Sequence, residues 1–378
     1  MALVFSVFSR SLGAGFLNWD DPDNFLNNTG YRGLGPGHLR WMFTTCGMGP
    51  YSPLMWLSAC ADHAVWGMDA FGWHLSNVLL HSANAAVFYL LCRRLLTAVS
   101  GLSENVAEIS FSAVMAALFF ALHPLCVETV AWASTRPNLL LTFFYQLAIL
   151  SYIMARGTGG ESASWPRRQA LPLFFFLLSL LSKGTAVTLP LVLILLDVYP
   201  LGRLPSEPRR WVDAGNRGVL AEKLPYFALS LVFGAAAFMC QARIGTIVPM
   251  EKFGLASRAA QALYGLAFYP LKTILPLDLL PYYQLPEGFG LFSWGTLMRG
   301  AAVAGVTAAA VAVRRRSPVF TAVWAYYLLT VWPMAGVVKI NEYWAADRYA
   351  YIACLGFAVL AGAGILSILR SGRGVRRT

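Results

Sequence analysis

Residues 171–198, LPLFFFLLSLLSKGTAVTLPLVLILLDV, form an apolar run that is interrupted only by Ser182-Lys183-Gly184. An apolar helix of about 20 residues is long enough to cross the hydrocarbon core of a bilayer. The polar break lies near the middle of this run and divides it into two short helices. We predict that the two helices fold into a hairpin within the membrane, with Lys183 at its tip.

The composition of the whole chain is that of a membrane protein. Of the 378 residues, 57% are hydrophobic and 12% are charged, whereas soluble domains are about 45–50% apolar and about 25% charged. The mean hydropathy of +0.57 also indicates a membrane protein. This composition excludes a water-soluble enzyme, a disordered chain and a disulfide-stapled scaffold. Further candidate spans lie near residues 74–92, 109–122, 138–155, 224–241, 293–313, 318–338 and 349–369.

The net charge of +11 is carried by short arginine clusters between the apolar runs. Cytoplasmic loops are enriched in this way, so we place these clusters in the cytoplasm and predict no nucleic-acid partner.

Residues 2–16 are short for a span, and we interpret them as a truncated first span rather than a signal peptide. Residues 257–280 contain Lys272, Asp278 and two prolines. A full crossing there would put the Arg314–Arg316 cluster outside, so we predict a re-entrant or interfacial segment.

These assignments predict an all-α integral membrane protein with about ten spans. Residues 1–378 form a single polytopic domain, without a C-terminal repeat domain. A long first outer loop covers residues 18–73, and the C-terminus is cytoplasmic. Most acidic residues then fall on the outer face, where we expect the chemistry to occur.

Two adjacent carboxylates, Asp20 and Asp21, follow the first span directly. Repulsion between them and partial desolvation both favour a raised pKa for one of the pair. A general base that accepts a hydroxyl proton benefits from such a pKa. The alternative is a solvated turn or a helix cap before Pro22.

A second polar group joins two spans on the outer face and consists of His123, Glu128 and Arg136. Glu128 and Arg136 are eight residues apart, so they share a face if the link is helical. The planar guanidinium of arginine can bind two phosphate oxygens at once. This group could hold a sugar and a phosphate, or it could be an ion pair that stiffens a helical hairpin.

Basic residues within the apolar segments provide further candidates for a phosphate site. Lys183 and Lys272 are ionisable residues in membrane segments, which usually face a cavity or a pathway. The alternative is that their amines reach out to the lipid head groups. Asp347, Arg348 and Tyr349 end the last outer loop, where Arg348 could bind a phosphate or could form a purely structural pair with Asp347.

Two other patterns are assigned a structural role. One helix carries a polar stripe made of His74, Asn77, His81 and Asn84. Such residues more often form hydrogen bonds between spans than bind metal. The cysteines lack metal-site spacing, although Cys46 and Cys60 could form a disulfide in an oxidising compartment. No P-loop, GxSxG or HExxH motif supports nucleotide-driven or serine-hydrolase chemistry.

An ordered series of motifs resembles the bacterial relatives of transmembrane O-mannosyltransferases, a family that often carries C-terminal tetratricopeptide repeats. The series begins with GFLNWDDPDNFLNN (15–28), GLGPGHLRWMFTT (33–45) and the run that starts at YSPLMWLSACADHAVWGMDAFGWHL (51–75). It continues with FFALHPLCVETVAWASTRPNLL (119–140), LLSKGTAVTLPLVLILLDVYPLGR (180–203), EKLPYFALS (222–230), YPLKTILP (269–276) and NEYWAADRYAYI (341–352). The resemblance covers nearly the whole chain.

This resemblance implies a GT-C glycosyltransferase, which takes a sugar from a polyprenyl-phosphate donor at the outer or lumenal face. An acidic residue in the first outer loop would be the base, which matches Asp20 or Asp21. The second acidic position matches Glu128, and the lipid-phosphate contacts match Arg136, Lys183 and Arg348. The chain departs from the family in its short first span, its missing repeat tail and its Arg136-Pro137-Asn138, where the family often has two basic residues and an aspartate.

Our main hypothesis is an inverting transfer of mannose from a polyprenyl-phosphate donor to a hydroxyl of a protein or glycan acceptor. Asp20 or Asp21 would take the hydroxyl proton, Arg348 with Arg136 or Lys183 would stabilise the leaving phosphate, and His123 and Glu128 would orient the substrates. No cofactor is required, although the clustered outer acids leave room for a divalent metal. We expect a multi-pass protein of a bacterial plasma membrane with its active site outside. The alternatives are a transporter or flippase of lipid-linked sugars and a non-catalytic membrane subunit.

Overall fold

The computed structural model describes residues 1–47, 49–104, 106–157, 165–286, 288–336, 338–340 and 343–375. Over these residues the chain is helical, with two isolated β-bridges and no strand, which confirms the predicted all-α class. Short 3-10 and π-helical turns join the α-helices. The helices are α1 (Ala2–Phe8), α2 (Pro36–Thr44), α3 (Pro53–Trp66), α4 (Ala70–Ser100), α5 (Ala107–Ala121), α6 (Val127–Ala131), α7 (Arg136–Gly157), α8 (Trp165–Ser182), α9 (Leu189–Val198), α10 (Arg217–Ala221), α11 (Leu224–Arg243), α12 (Leu255–Ile274), α13 (Trp294–Ala312), α14 (Pro318–Val331) and α15 (Ala350–Val375).

Among the described residues, five helical segments are long and apolar enough to cross a membrane. They are Ala70–Ser100, Ala133–Arg156, Arg217–Arg243, Trp294–Ala312 and Asp347–Ser371. A sixth would be the pair Ala107–Ala121 and Pro124–Ala131, which is bent by 55°. The predicted number of ten spans is therefore not confirmed. Helix α12, which covers most of the predicted re-entrant segment, is not among the five, and its interfacial or re-entrant placement stays a prediction.

The bundle is held together by a large apolar core between α4, α5, α7 and α15. Helix α4 packs against both α5 and α7, and α15 packs against α5. Phe88, Phe120 and Tyr145 are fully buried in this core. A second cluster joins α12, α14 and the start of α15, and a third fills the first loop. The predicted long loop is thus an ordered part of the fold rather than a free segment.

The break within residues 171–198 is confirmed at the predicted position. Helix α8 ends at Ser182, Lys183 is extended, and a 3-10 turn from Gly184 to Thr188 leads into α9. Gly184 allows α11 to approach closely, because an added Cβ would lie 2.7 Å from the Cβ of Ala237. The close contact places α11 beside Lys183.

A disulfide joins Cys46 in the first loop to Cys240 near the end of α11. The suggested pairing of Cys46 with Cys60 is therefore wrong. Cys60 is a free, buried thiol on α3, where it packs with the aromatic side chains of the first loop. The two bonded cysteines are 194 residues apart in sequence, a pairing that depends on how the helices pack.

At the end of α7 that carries Tyr152 and Arg156, the structure holds a buried ionic cluster. Asp197 is fully buried, and its carboxylate accepts hydrogen bonds from the Tyr152 hydroxyl at 2.7 Å and from Arg203 at 2.9 Å. The Lys223 amine lies 2.6 Å from the same carboxylate, and it is 1% exposed. These contacts give Asp197 a structural role in the packing of the helices.

We expect Asp197→Ala to destabilise the protein strongly, because it removes the fully buried anion of Lys223 and Arg203 and leaves them only the partly exposed Glu222. Removing one partner of a buried ion pair costs about 3–5 kcal/mol. Thermal unfolding in detergent measures this loss. Glu207→Ala is the control, since Glu207 is exposed and its contact with Arg210 is 3.9 Å long. Equal melting temperatures for the two variants would contradict the prediction.

Candidate functional site

A cavity of about 820 Å³ lies between the first loop, α11 and the chain that leads into α15. Small-molecule sites are commonly about 300–1,000 Å³ in volume. Three elements far apart in sequence bring four charged side chains to this cavity: Asp20 and Asp23 from the first loop, Lys183 from the helix break, and Arg348 from the segment before α15. Two carboxylates and two cations therefore share one space.

The structure separates the two adjacent carboxylates. Asp20 is exposed to the cavity, whereas Asp21 is fully buried and does not line it. The Asp21 carboxylate accepts hydrogen bonds from the Leu17 amide at 2.8 Å, from the Ser134 amide at 3.0 Å and from the Ser134 hydroxyl. Asp21 thus fixes the loop to the turn before α7, and Asp20 is left available for chemistry.

The surroundings of Asp20 suit a proton acceptor. Partial burial raises the pKa of Asp20 above its ordinary value, the positive charge of Arg348 opposes this shift, and the neighbouring Asp21 and Asp23 add to it. A raised pKa makes a carboxylate a stronger base.

Arg348 is held in place by Glu128. The two side chains form a salt bridge, and a Glu128 oxygen also accepts a hydrogen bond from the Arg348 amide at 2.6 Å. Arg348 donates further to the Pro281 carbonyl at 3.0 Å and to the Tyr343 hydroxyl at 2.9 Å. Glu128 itself does not line the cavity, and its contacts fix the position of Arg348.

Lys183 supplies the second cation at the cavity wall. Its amine donates to the Asn138 amide oxygen at 2.7 Å and lies 5.8 Å from the centre of the Tyr349 ring. A lysine ammonium has three donors, so the bond to Asn138 leaves two for a ligand. Tyr349 also lines the cavity.

Arg136 does not belong to the cavity, contrary to the sequence expectation. It is 1% exposed, pairs with Asp62, and donates at 2.9 Å to the Asn77 side chain and to the Trp73 carbonyl. The link between Glu128 and Arg136 is not one helix, because α6 ends at Ala131 and a 3-10 turn precedes α7. Glu128 therefore pairs with Arg348, and Arg136 pairs with Asp62.

Three other candidates also lie outside the cavity lining. His123 is buried and bonded to the Thr273 carbonyl at 3.0 Å. The Lys272 amine donates to the backbone carbonyls of Leu277 and Asp278, in the segment that follows α12. Asp347 accepts a hydrogen bond from the Tyr283 hydroxyl at 2.8 Å. Asp347 does not pair with Arg348, so the suggested pair is wrong. Asn341 and Glu342 of the last motif lie outside the described residues.

The polar stripe on α4 forms hydrogen bonds between helices, as the structural interpretation predicted. His81 contacts the Tyr351 hydroxyl at 2.7 Å and the Ala121 carbonyl at 2.9 Å. Asn84 donates to the Leu139 carbonyl at 3.0 Å. In the described part of the chain, no three His, Cys, Asp or Glu side chains are grouped as metal ligands.

Several cavity residues were not found by sequence reasoning: Asp23, Asn138, Gln241, Gln261 and Tyr343. Asp23 had a weak signal, since it stands in the same acidic motif as Asp20. The others are uncharged residues on α7, α11 and α12 and in the segment before α15, and their residue type alone indicated no chemistry. Their position depends on tertiary packing.

Comparison with known proteins places the chain beside one group of enzymes. Protein O-mannosyl-transferase Tmtc1 of Drosophila melanogaster is 32% identical over 218 residues, which are 54% of this chain and 23% of that protein. TMTC1 of Homo sapiens is 29% identical over 236 residues, 58% of this chain and 24% of that protein. TMTC2 of Mus musculus is 33% identical over 158 residues, 42% of this chain and 18% of that protein.

The chain is similar to protein O-mannosyl-transferases. The resemblance recognised in the sequence motifs is thereby confirmed, and the chain spans less than a quarter of the length of these relatives. No protein-family model matches. Among solved structures, a crystal structure of ArnT from Cupriavidus metallidurans bound to undecaprenyl phosphate aligns with a TM-score of 0.45 at 15% identity, over 96% of this chain and 58% of that one.

Proposed function

We propose that the chain is a membrane glycosyltransferase that moves mannose from a polyprenyl-phosphate donor to a hydroxyl of a protein or glycan acceptor, at the outer face of a bacterial plasma membrane. The arrangement of Asp20 in one cavity with Lys183 and Arg348 carries this proposal. A carboxylate can take a proton, and two cations can receive a phosphate. Similarity to protein O-mannosyl-transferases supports the same reaction class.

In the proposed reaction, Asp20 accepts the proton of the acceptor hydroxyl while the acceptor oxygen forms a bond to the anomeric carbon. The bond between that carbon and the phosphate oxygen breaks, and polyprenyl phosphate leaves with the electron pair. Lys183 and Arg348 stabilise the negative charge that grows on the leaving group, where preorganised cations act most strongly. Attack opposite the leaving group inverts the anomeric centre. A phosphate leaving group needs no protonating acid.

A transfer assay tests this proposal. Purified protein in lipid nanodiscs receives a short-chain polyprenyl-phosphate donor labelled in its mannose, together with mixed acceptor peptides and glycans. We expect labelled product from the wild type and none from Asp20→Asn. A matched glucose donor reports the sugar preference. In sealed vesicles, movement of intact lipid-linked sugar between leaflets without any transfer would overturn the proposal and favour a flippase.

The pH profile provides a prediction about Asp20 itself. Because the base must be deprotonated, and because burial raises the pKa of Asp20, kcat/KM should fall as the pH decreases through that raised pKa. The midpoint of the fall should lie above pH ~4, the region where an ordinary aspartate titrates. Rates measured with the wild type from acid to neutral pH check this. Activity that stays flat down to about pH 4 would contradict the assignment.

A further inference from the structure

The ammonium group of Lys183 is held in the cavity wall by an uncharged side chain. It donates a hydrogen bond to Asn138 Oδ1 at 2.7 Å, and in the described part of the chain no carboxylate forms a salt bridge with it. Arg348, the second cation of the cavity, is instead paired with the Glu128 carboxylate. The two cations are therefore fixed in different ways, one by an amide and the other by an opposite charge.

The side-chain amide of Asn138 is oriented by two contacts. Asn138 lies in the first turn of α7, and its Nδ2 donates to the Thr135 carbonyl at 3.3 Å while its Oδ1 accepts from Lys183. A carbonyl oxygen can only accept and an ammonium can only donate, so these contacts determine which way the amide points. The start of α7 thus presents a fixed acceptor to Lys183, which stands in the extended break between α8 and α9.

Both members of this pair reach the cavity. Asn138 and Lys183 line it, and both are half-buried rather than fully buried. The Lys183 amine lies 5.8 Å from the centre of the Tyr349 ring, and the guanidinium carbon of Arg348 lies 5.2 Å from the same centre. Asn138 therefore holds the ammonium close to the second cation, beside one aromatic ring. A lysine that is already oriented loses less freedom when a ligand binds.

The uncharged acceptor has a consequence for ligand binding. The pair of Arg348 and Glu128 has no net charge, whereas the pair of Lys183 and Asn138 keeps the positive charge of the ammonium. A carboxylate in place of the amide would repel an anion at short range and offset the attraction of the ammonium. We propose that Asn138 is a positioning residue, which fixes Lys183 for the phosphate of a lipid and leaves its charge uncancelled. This inference rests on the proposed function, because the phosphate is that of the proposed reaction.

A ratio of two affinities tests this role separately from the fold. Calorimetry in nanodiscs compares a short-chain polyprenyl phosphate with the polyprenol of the same length, which lacks only the phosphate. Damage to the fold lowers both affinities, whereas loss of phosphate recognition lowers their ratio. We expect Asn138→Ala to reduce the ratio by about tenfold, since the ammonium loses its fixed acceptor. In a Lys183→Met background, the same substitution should cause no further reduction.

Asn138→Asp separates the positioning of the ammonium from its charge. The carboxylate has the shape of the amide and still accepts a hydrogen bond from Lys183, but it repels the phosphate. We expect the ratio to fall by at least about tenfold, and the difference from the wild type to shrink at high salt. Asn24→Ala is the matched control, because Asn24 also lines the cavity but its amide donates to Ser134 at 2.9 Å. Its ratio should equal that of the wild type.

The outcomes distinguish this inference from the proposed function. A wild-type ratio in Asn138→Ala or in Asn138→Asp would overturn the role of Asn138, while a wild type that prefers the phosphate lipid would leave the proposed function standing. An equal fall for Asn138→Ala with and without Lys183 would show that Asn138 contacts the ligand itself, which also overturns the positioning role. If the wild type binds both lipids equally well, the cavity does not recognise phosphate and the proposed function is wrong as well.

Discussion

Asp20→Asn is expected to abolish sugar transfer while the protein keeps its fold. Asp20 is one of two exposed carboxylates that line the cavity, and it shares that space with Arg348 and Lys183. An asparagine has the same shape but cannot take the acceptor proton, and loss of a general base reduces the rate by about 10²–10⁴-fold. Turnover of labelled donor and the melting temperature, measured on the same preparation, check this result.

Asp21→Asn and Glu251→Gln are the comparison variants for this experiment. Asp21 is the buried partner of Leu17 and Ser134. Its replacement should therefore act mainly on stability and lower the melting temperature, with a smaller effect on the transfer rate per folded molecule. Glu251 is exposed and does not line the cavity, and its replacement should leave both quantities unchanged. A fully active Asp20→Asn beside an inactive, stable Asp21→Asn would assign the base to Asp21 instead.

Arg348→Ala should remove both catalysis and stability, for two different reasons. The guanidinium faces the cavity, where losing one preorganised donor lowers kcat by about 10²–10³-fold. Its removal also leaves the Glu128 carboxylate, whose side chain is 8% exposed, without its salt-bridge partner. Breaking a buried pair from one side costs about 3–5 kcal/mol. Single-turnover rates and thermal unfolding measure the two effects separately.

The double variant Glu128→Gln/Arg348→Ala separates these two effects. Neutralising Glu128 removes the unpaired buried charge, so much of the lost stability should return. The rate should remain as low as in Arg348→Ala, because the cavity still lacks its cation. Recovery of transfer together with stability would show that Arg348 serves only the fold, and the phosphate role would then pass to Lys183.

The helical class was predictable because it depends on local sequence. Apolar runs near 74–92, 138–155 and 349–369 fall within long helices of the structure, and the break at Lys183 occurs where the polar residues interrupt the run. Chemical type also directed attention to Asp20, Lys183 and Arg348. These three residues carry a charge in an apolar chain, which is costly unless they face polar surroundings.

The sequence did not predict which side chains pair with each other, because these pairs depend on contacts between segments that are distant along the chain. Asp20 and Asp21 are neighbours of one type, and only the approach of Ser134 buries the second. Arg136 has the same chemistry as Arg348, yet Asp62 holds it within the core while Glu128 directs Arg348 to the cavity. The spacing along the chain predicted that Glu128 shares a face with Arg136, because residues 128–136 were assumed to form one helix. Glu128 pairs with Arg348 instead.

The bond between Cys46 and Cys240 constrains how a lipid can reach the cavity. Gly47 and Gln241, the residues that follow the two cysteines, both line the cavity wall. The disulfide therefore links the first loop to α11 along this side of the cavity. The two elements cannot separate there while the disulfide is intact. The lipid-linked donor that we propose would therefore have to enter elsewhere on the rim. Cutting the chain between the two cysteines would still leave the pieces as one molecule until a reductant is added.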